Sequence, residues 1–233
     1  MMRTASVTAC VLLLSVALPA AAQALAPGTE WASYRDAYRA MVVFDKYGGA
    51  KNLLRHHLQL VPREKGVLGE GVQLALTGKT VQTSLAFDAL GRAVLPLSKA
   101  AYDENAVLSP NRRLGPFSLR ARVSIAPQAD NSYADLDLRA ACEQALGFAR
   151  HVDGTARGRQ CVGVRMVFAK KGLEVAVRLR RADGGEQALA PVPGAAYAGD
   201  VDADFPVVEY RFGNERAMVI TYSAPLAIVP VFE

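Results

Sequence analysis

Apolar side chains recur at helical spacing in two places along the chain. From Trp31 to Tyr47, the side chains of Trp31, Tyr34, Tyr38 and Met41 fall on one face and Arg35, Asp36 and Arg39 turn away, which predicts an amphipathic helix. Thr29 is placed to cap its start and Gly48-Gly49 to end it. A second helix is predicted where Leu138, Cys142, Ala145, Ala149 and Val152 repeat with the same period, capped by Asp135 or Asp137 and closed by Gly154. After each helix the period changes to two, the signature of a strand with two unlike faces. In LLRHHLQLV, Leu54, His56, Leu58 and Leu60 alternate with Arg55, His57 and Gln59, and QCVGVRMVF follows the second helix in the same way.

The remaining apolar runs are short and separated by turn residues, as in β structure. In the first half they are Val72 to Leu76, Thr80 to Phe87, Ala93 to Leu97 and the alternating FSLRARVSI. In the second they are Leu173 to Leu179, Val207 to Phe212, Ala217 to Ser223 and Leu226 to Phe232. HLQLVPREKG at 57–66 lies over GVRMVFAKKG at 163–172 with an offset of 163 − 57 = 106, and the Ala-Ala-Tyr of 100–102 recurs at 195–197. The expected fold class is therefore α+β and mainly β: two tandem, β-rich, sandwich-like modules over 25–128 and 129–233, each introduced by an amphipathic helix, from an internal duplication. One stretch, FDALGRAVLPL, resembles the turn and second strand of transthyretin-like or other immunoglobulin-like accessory modules. The resemblance implies that module type over a single turn, where Asp88 and Gly91 supply the turn chemistry.

Residues 1–24 change the picture from fold to compartment. Arg3, the apolar VTACVLLLSVALPA and the small residues of AAAQA make an export signal with cleavage after Ala22 or Ala24. Cys10 precedes the apolar region, the wrong order for a lipidation box. The expected location is periplasmic or extracellular, with no transmembrane segment in the mature chain. Loss of Arg3 lowers the basic count from 27 to 26 against 22 acids, leaving +4. Such a mild surplus without a basic tract excludes nucleic acid as the expected partner and points to an envelope protein or an anionic envelope polymer. Cys142 and Cys161 remain after cleavage and are expected to form one disulfide in an oxidising space.

Candidate chemistry is sparse. Asp200, Asp202 and Asp204 offer three carboxylates at alternate positions, as an EF-hand loop begins, but Phe205 and Arg211 stand where that loop needs glycine and glutamate. A solvated acidic loop is the expected role, and no metal or cofactor is assigned. His56 and His57 point to opposite faces of a strand, with His56 expected to be a hydrogen-bonded core histidine. His151 sits where a helix dipole favours a cation. No G-x-S-x-G stretch is present, and no catalytic residue is assigned. Arg120, Arg122, Arg165, Arg178 and Arg180 share polar strand faces and form a candidate anion-binding ladder if those strands are neighbours. The leading expectation is a non-enzymatic binding or scaffolding protein of the bacterial envelope. The alternative is a hydrolase of cell-wall or surface polysaccharide acting through carboxylates, with Asp103, Glu104 and Glu209 joining the aspartate cluster as candidates.

Overall fold

A computed structural model describes residues 31–65, 68–69, 71–171, 174–214 and 216–233, so the expected export signal and the expected Thr29 cap lie outside the described residues. The first part of the chain forms β1 (Ala32–Ser33), α1 (Tyr34–Lys46), β2 (Leu54–Pro62), β3 (Gln73–Thr77), β4 (Gln82–Ala86), β5 (Arg92–Ala93), α2 (Lys99–Asp103), β6 (Val107–Pro110) and β7 (Phe117–Ile125). The second forms β8 (Ser132–Ala134), α3 (Asp135–Val152), a 3-10 turn at Gly154–Gly158, β9 (Cys161–Val167), β10 (Val177–Arg181), β11 (Glu186–Leu189), β12 (Val192–Gly194), β13 (Phe205–Arg211), β14 (Ala217–Thr221) and β15 (Ala227–Phe232). The described protein is mainly β, with three antiparallel sheets and three α-helices.

A seven-stranded sheet in the order β12-β13-β9-β15-β7-β2-β5 is the spine. Two four-stranded sheets, β1-β6-β3-β4 and β11-β10-β14-β8, stand apart from it. β2 and β7 run together over their whole length, from Leu54 opposite Ile125 to Pro62 opposite Phe117. One face of the spine carries the helices. There Leu58 and Leu60 pack with Tyr34 and Met41 of α1 and with Leu74, Leu76 and Leu108 of the first small sheet. Further along the same face, Val164, Met166 and Ile228 pack with Leu138, Cys142 and Ala145 of α3 and with Val177 and Val219 of the second small sheet, joined by Leu54 and Ile125. The opposite face holds a smaller cluster of Leu90, Val167, Ala196, Tyr197, Phe205, Val207 and Ala227.

Local chemistry departs from the periodicity at the element ends. α1 begins at Tyr34, with Ser33 Oγ accepting from the Asp36 N–H at 3.3 Å, and Trp31 is 58% exposed outside it. Residue 31 thus belongs to the approach and not to the apolar face, because the strand β1 takes the chain into its pairing with β6. Asp135 opens α3 without capping it; it is buried, accepts a 2.7 Å hydrogen bond from Tyr210 and pairs with Arg139. The Asp88–Gly91 turn is not a hairpin. β4 lies in a small sheet and β5 in the spine, so the turn carries the chain from one sheet to another. Gly91 has φ 71°, and a Cβ there would meet the Leu60 carbonyl oxygen at 2.9 Å, which is why glycine ends this turn. The two Ala-Ala-Tyr triplets occupy different places: the first is inside α2, between β5 and β6, and the second lies between β12 and β13.

Cys142 and Cys161 are bonded, with Cα atoms 6.0 Å apart and 19 residues of separation. The bridge ties α3 to β9, and closing so short a loop stabilises the fold by about 3 kcal/mol. Reduction is expected to lower the unfolding midpoint accordingly, and intact mass with and without reduction is expected to show Cys142 and Cys161 blocked.

His56 faces the helices, as its place in the alternation requires, stacked on Phe44 at 4.7 Å. Its buried Nε2 finds no hydrogen-bond partner among the described residues, so the ring is packed as an apolar group instead of being hydrogen-bonded. Burial, then the neighbouring His57, holds its pKa down to about 4, against the opposing pull of Asp45. The unfolded chain takes up the proton near 6.5, the folded one only near 4, so stability is complete above pH 6.5 and falls below it. A loss of roughly 3 kcal/mol by pH 4 is expected, read from urea midpoints, with a shallower fall in His56→Leu.

Candidate functional site

The back face of the spine concentrates the buried charge. Arg55, His57 and Gln59 of β2 lie directly opposite Ser124, Arg122 and Arg120 of β7, and Arg92 of β5 stands opposite Gln59. Because side chains alternate along a strand, all of these project away from α1. Seven polar positions on one sheet face would ordinarily be solvated. Here Gln59 and Arg92 are buried, because the segment between β12 and β13 crosses the face as a strap and bonds both, and Ser124 is buried beyond it.

The strap is the GAAYAGDVDADF stretch. Ala196 and Tyr197 bury against Leu90, Val167 and Phe205, and Gly199, with φ 80°, turns the chain so that Asp200 enters the face. Asp200 Oδ1 accepts from Arg122 Nη2 at 2.6 Å and its Oδ2 accepts from Gln59 Nε2 at 3.0 Å. Gln59 closes the triangle by accepting from Arg122 Nε at 2.6 Å and donating to the Leu90 carbonyl at 3.1 Å. The Arg122 guanidinium also lies 4.6 Å from the centre of the Tyr197 ring. Burial lowers the pKa of Arg122, and Asp200 is the chief force against that.

Arg92 forms the second knot. Its Nε donates to Asp88 Oδ2 at 2.8 Å, its Nη1 to the Tyr197 hydroxyl at 3.1 Å, and its Nη2 to the Leu226 carbonyl. Asp88 in turn accepts from the Leu90 and Arg92 amides, each at 2.9 Å, so one carboxylate shapes the turn and holds the arginine. Burial works against the charge on Arg92, but Tyr197 and Asp88 outweigh it and its pKa is raised. Tyr197 is pushed up by burial, with Arg92 and Arg122 opposing.

The three alternate aspartates do not converge. Asp200 goes to Arg122, Asp202 to Lys170 at 2.5 Å, and Asp204 to Lys65. Each carboxylate has its own cation, and among the described residues no group of three or more His, Cys, Asp or Glu side chains is arranged to hold a metal ion. The five candidate arginines are likewise divided. Arg120 and Arg122 are on β7; Arg165 shares the spine's back face but lies beyond β15 and pairs with Glu209 at 3.4 Å. Arg178 and Arg180 are on β10 in a separate sheet, both on Glu186 at 3.0 and 2.9 Å. They form no single ladder. The candidate carboxylates are also engaged: Asp103 with Lys99, Glu104 with Thr80, and Glu209 with Arg165 and Arg211. His151 stacks on Tyr47 at 5.1 Å, away from all of these.

Gln59, Arg92 and Tyr197 are the members that sequence patterning passed over, and Asp88 was read for its turn alone. The signal for Arg92 was its position inside the apolar ALGRAVLPL, since an arginine carried into a core needs oxygen partners.

Asp200 has an 8% exposed side chain and Arg122 a 16% exposed one, so removing the carboxylate strands a buried cation. Asp200→Asn is expected to cost about 3 kcal/mol in urea unfolding, with Arg122→Met/Asp200→Leu recovering most of it. Asp202→Asn and Asp204→Asn should leave the midpoint nearly unchanged, because exposed ion pairs contribute little. The chain matches no protein-family model, no curated protein and no solved structure.

Proposed function

We propose that this chain is an exported, non-enzymatic binding or scaffolding protein of the bacterial envelope, built as two tandem modules. The observation that carries the reading is the use made of the buried charge. Arg92, Arg122, Asp88, Asp200 and Tyr197 satisfy one another and tie the strap of the second module to the sheet of the first. Catalytic carboxylates and histidines are usually poised against a cleft with displaced pKa values and spare lone pairs. The carboxylates and arginines of this face are spent on structure, which favours a framework over a hydrolase.

The modular part of the proposal is supported by strand order. β1-β6-β3-β4 and β8-β14-β10-β11 follow the same path through their halves, and β5-β2-β7 mirrors β13-β9-β15 in the spine. Each copy is led by a helix that packs on its own half of the sheet. A duplication with its boundary between Ile125 and Ser132 agrees with modules over 25–128 and 129–233. In this correspondence β5 matches β13, and β12 with the strap is an addition peculiar to the second copy. Export rests on the leader at 1–24, and among the described residues no helix is long and apolar enough to cross a membrane.

Two measurements test the reading. Cell fractionation is expected to return the tagged chain, shortened at Ala22 or Ala24, with the periplasmic or secreted fraction. Incubation of the purified protein with peptidoglycan and surface polysaccharide is expected to give co-sedimentation without new products by mass spectrometry. Product formation that disappears in Glu209→Gln or Asp200→Asn would replace this proposal with the hydrolase.

A further inference from the structure

The strap covers the β2–β7 face only as far as Arg122. Beyond it the same face opens into a recess of 210 Å³ lined by Arg55, His57, Arg92 and Ser124, by Pro127, Pro225 and Leu226 of the loops, and by the start of β15. That volume is several times the share of one water molecule in the liquid, about 30 Å³, so the recess takes a small solute group. We propose that this recess binds a single oxyanion, a carboxylate or phosphate group, held between Arg55 and Arg92 with His57 and Ser124 as further hydrogen-bonding partners. The inference rests on the reading of the chain as a binding protein and names the chemistry of its ligand.

Charge, geometry and hydrogen-bond accounting point the same way. The guanidinium of Arg92 is 6% exposed and fixed by three acceptors, Asp88, Tyr197 and the Leu226 carbonyl. Its Nη2 also lies 2.7 Å from Asp88 Oδ2, so of the five N–H donors of an oriented guanidinium one, on Nη1, is left to give. Arg55 reaches the recess from β2, donates to the Leu54 carbonyl at 3.1 Å, and makes no ion pair among the described residues. Two arginines and one aspartate therefore leave one positive charge at the recess. The adjoining Arg122 is neutralised by Asp200 and adds nothing. His57 Nδ1 is buried and has no hydrogen-bond partner among the described residues. A buried polar atom without a partner is the mark of an absent hydrogen-bonding group.

The electrostatics of His57 agree. Burial first, then the charge of Arg92, hold its pKa down, with Asp88 opposing and Arg55 adding to the depression. An oxyanion placed between the arginines cancels their effect and favours the imidazolium, which then donates to it. Binding and protonation of His57 are therefore coupled, and affinity rises as the pH falls. His56 points to the other face, beside Asp45 and Phe44, and is not part of this coupling.

The test is a titration of the purified mature chain with inorganic phosphate and, separately, with butyrate, followed by the imidazole nitrogen resonances of the three histidines. A saturable shift of His57, with His56 and His151 unmoved, is expected. Arg55→Gln should weaken it at least about tenfold, the cost of one charge-assisted contact, at an unchanged urea midpoint. Because Arg55 is exposed, that variant is expected to fold. Tighter binding of phosphate would identify a phosphate group as the ligand, and tighter binding of butyrate a carboxylate on an apolar stem. Equal drift of all three histidines, or a His57 shift that survives Arg55→Gln at full strength, overturns the site. The binding-protein reading would survive that result, since it is tested separately by fractionation and by turnover of envelope polymers.

Discussion

A guanidinium removed from water must be surrounded by oxygen atoms, and the architecture follows from how Arg92 and Arg122 meet that demand. Gln59 of the paired strand serves Arg122 and the nearby Asp88 serves Arg92, but neither cation is satisfied by these alone. Arg122 depends on Asp200, 78 residues away, and Arg92 on Tyr197 and the Leu226 carbonyl, 105 and 134 residues away. Breaking a buried pair costs far more than forming it returns, so such contacts act as a condition on the fold more than as a source of stability. The strap must lie over the back face, and the loop before β15 must reach beneath β5, for either cation to be accommodated.

Once the strap is in place, the two parts of the chain are held together on both sides of one sheet. On the helix side Phe44 and Tyr47 meet Phe148 at 5.1 and 5.4 Å, and Gln144 accepts from the Leu53 amide and donates to Asn52. In the sheet itself β15 meets β7 at Ile228 and Ile125, both inside the second core cluster. On the back face the contact is ionic around Arg92 and Arg122, beside the small apolar cluster of Leu90 with Tyr197 and Phe205. An apolar clasp in front and a charged one behind leave little freedom for the parts to slide, because one tolerates translation and the other does not. The recess beside His57 is where the charged clasp ends. The strap satisfies Arg122, the turn at Asp88 satisfies part of Arg92, and the remaining positive charge of Arg55 faces solvent without a carboxylate of its own among the described residues.

Much of the scaffold was legible in the sequence. α1, α3, β2, β7 and β9 run long enough for their apolar period to declare both type and facing, and the predicted direction of His56 and His57 follows from alternation alone. β1, β8 and β12 have two or three residues each, too few for a period, and α2 is a single turn. These elements exist because neighbouring strands offer hydrogen bonds, not because of local preference. Trp31 shows the same limit from the other side: its spacing suits the face of α1, but pairing of β1 with β6 ends the helix before it.

The strap divides what the chain determines locally from what the fold decides. Composition and alternation specified a mainly β protein with two long helices, a short disulfide loop and an acidic connection at 200–204, since all of these depend on near neighbours in sequence. Which cation each aspartate meets, which arginines share a face, and that Asp200 is buried while Asp204 is exposed depend on strands brought together from distant parts of the chain. Ion pairs are decided by distance and burial, and neither is a property of a sequence until the sheets have closed.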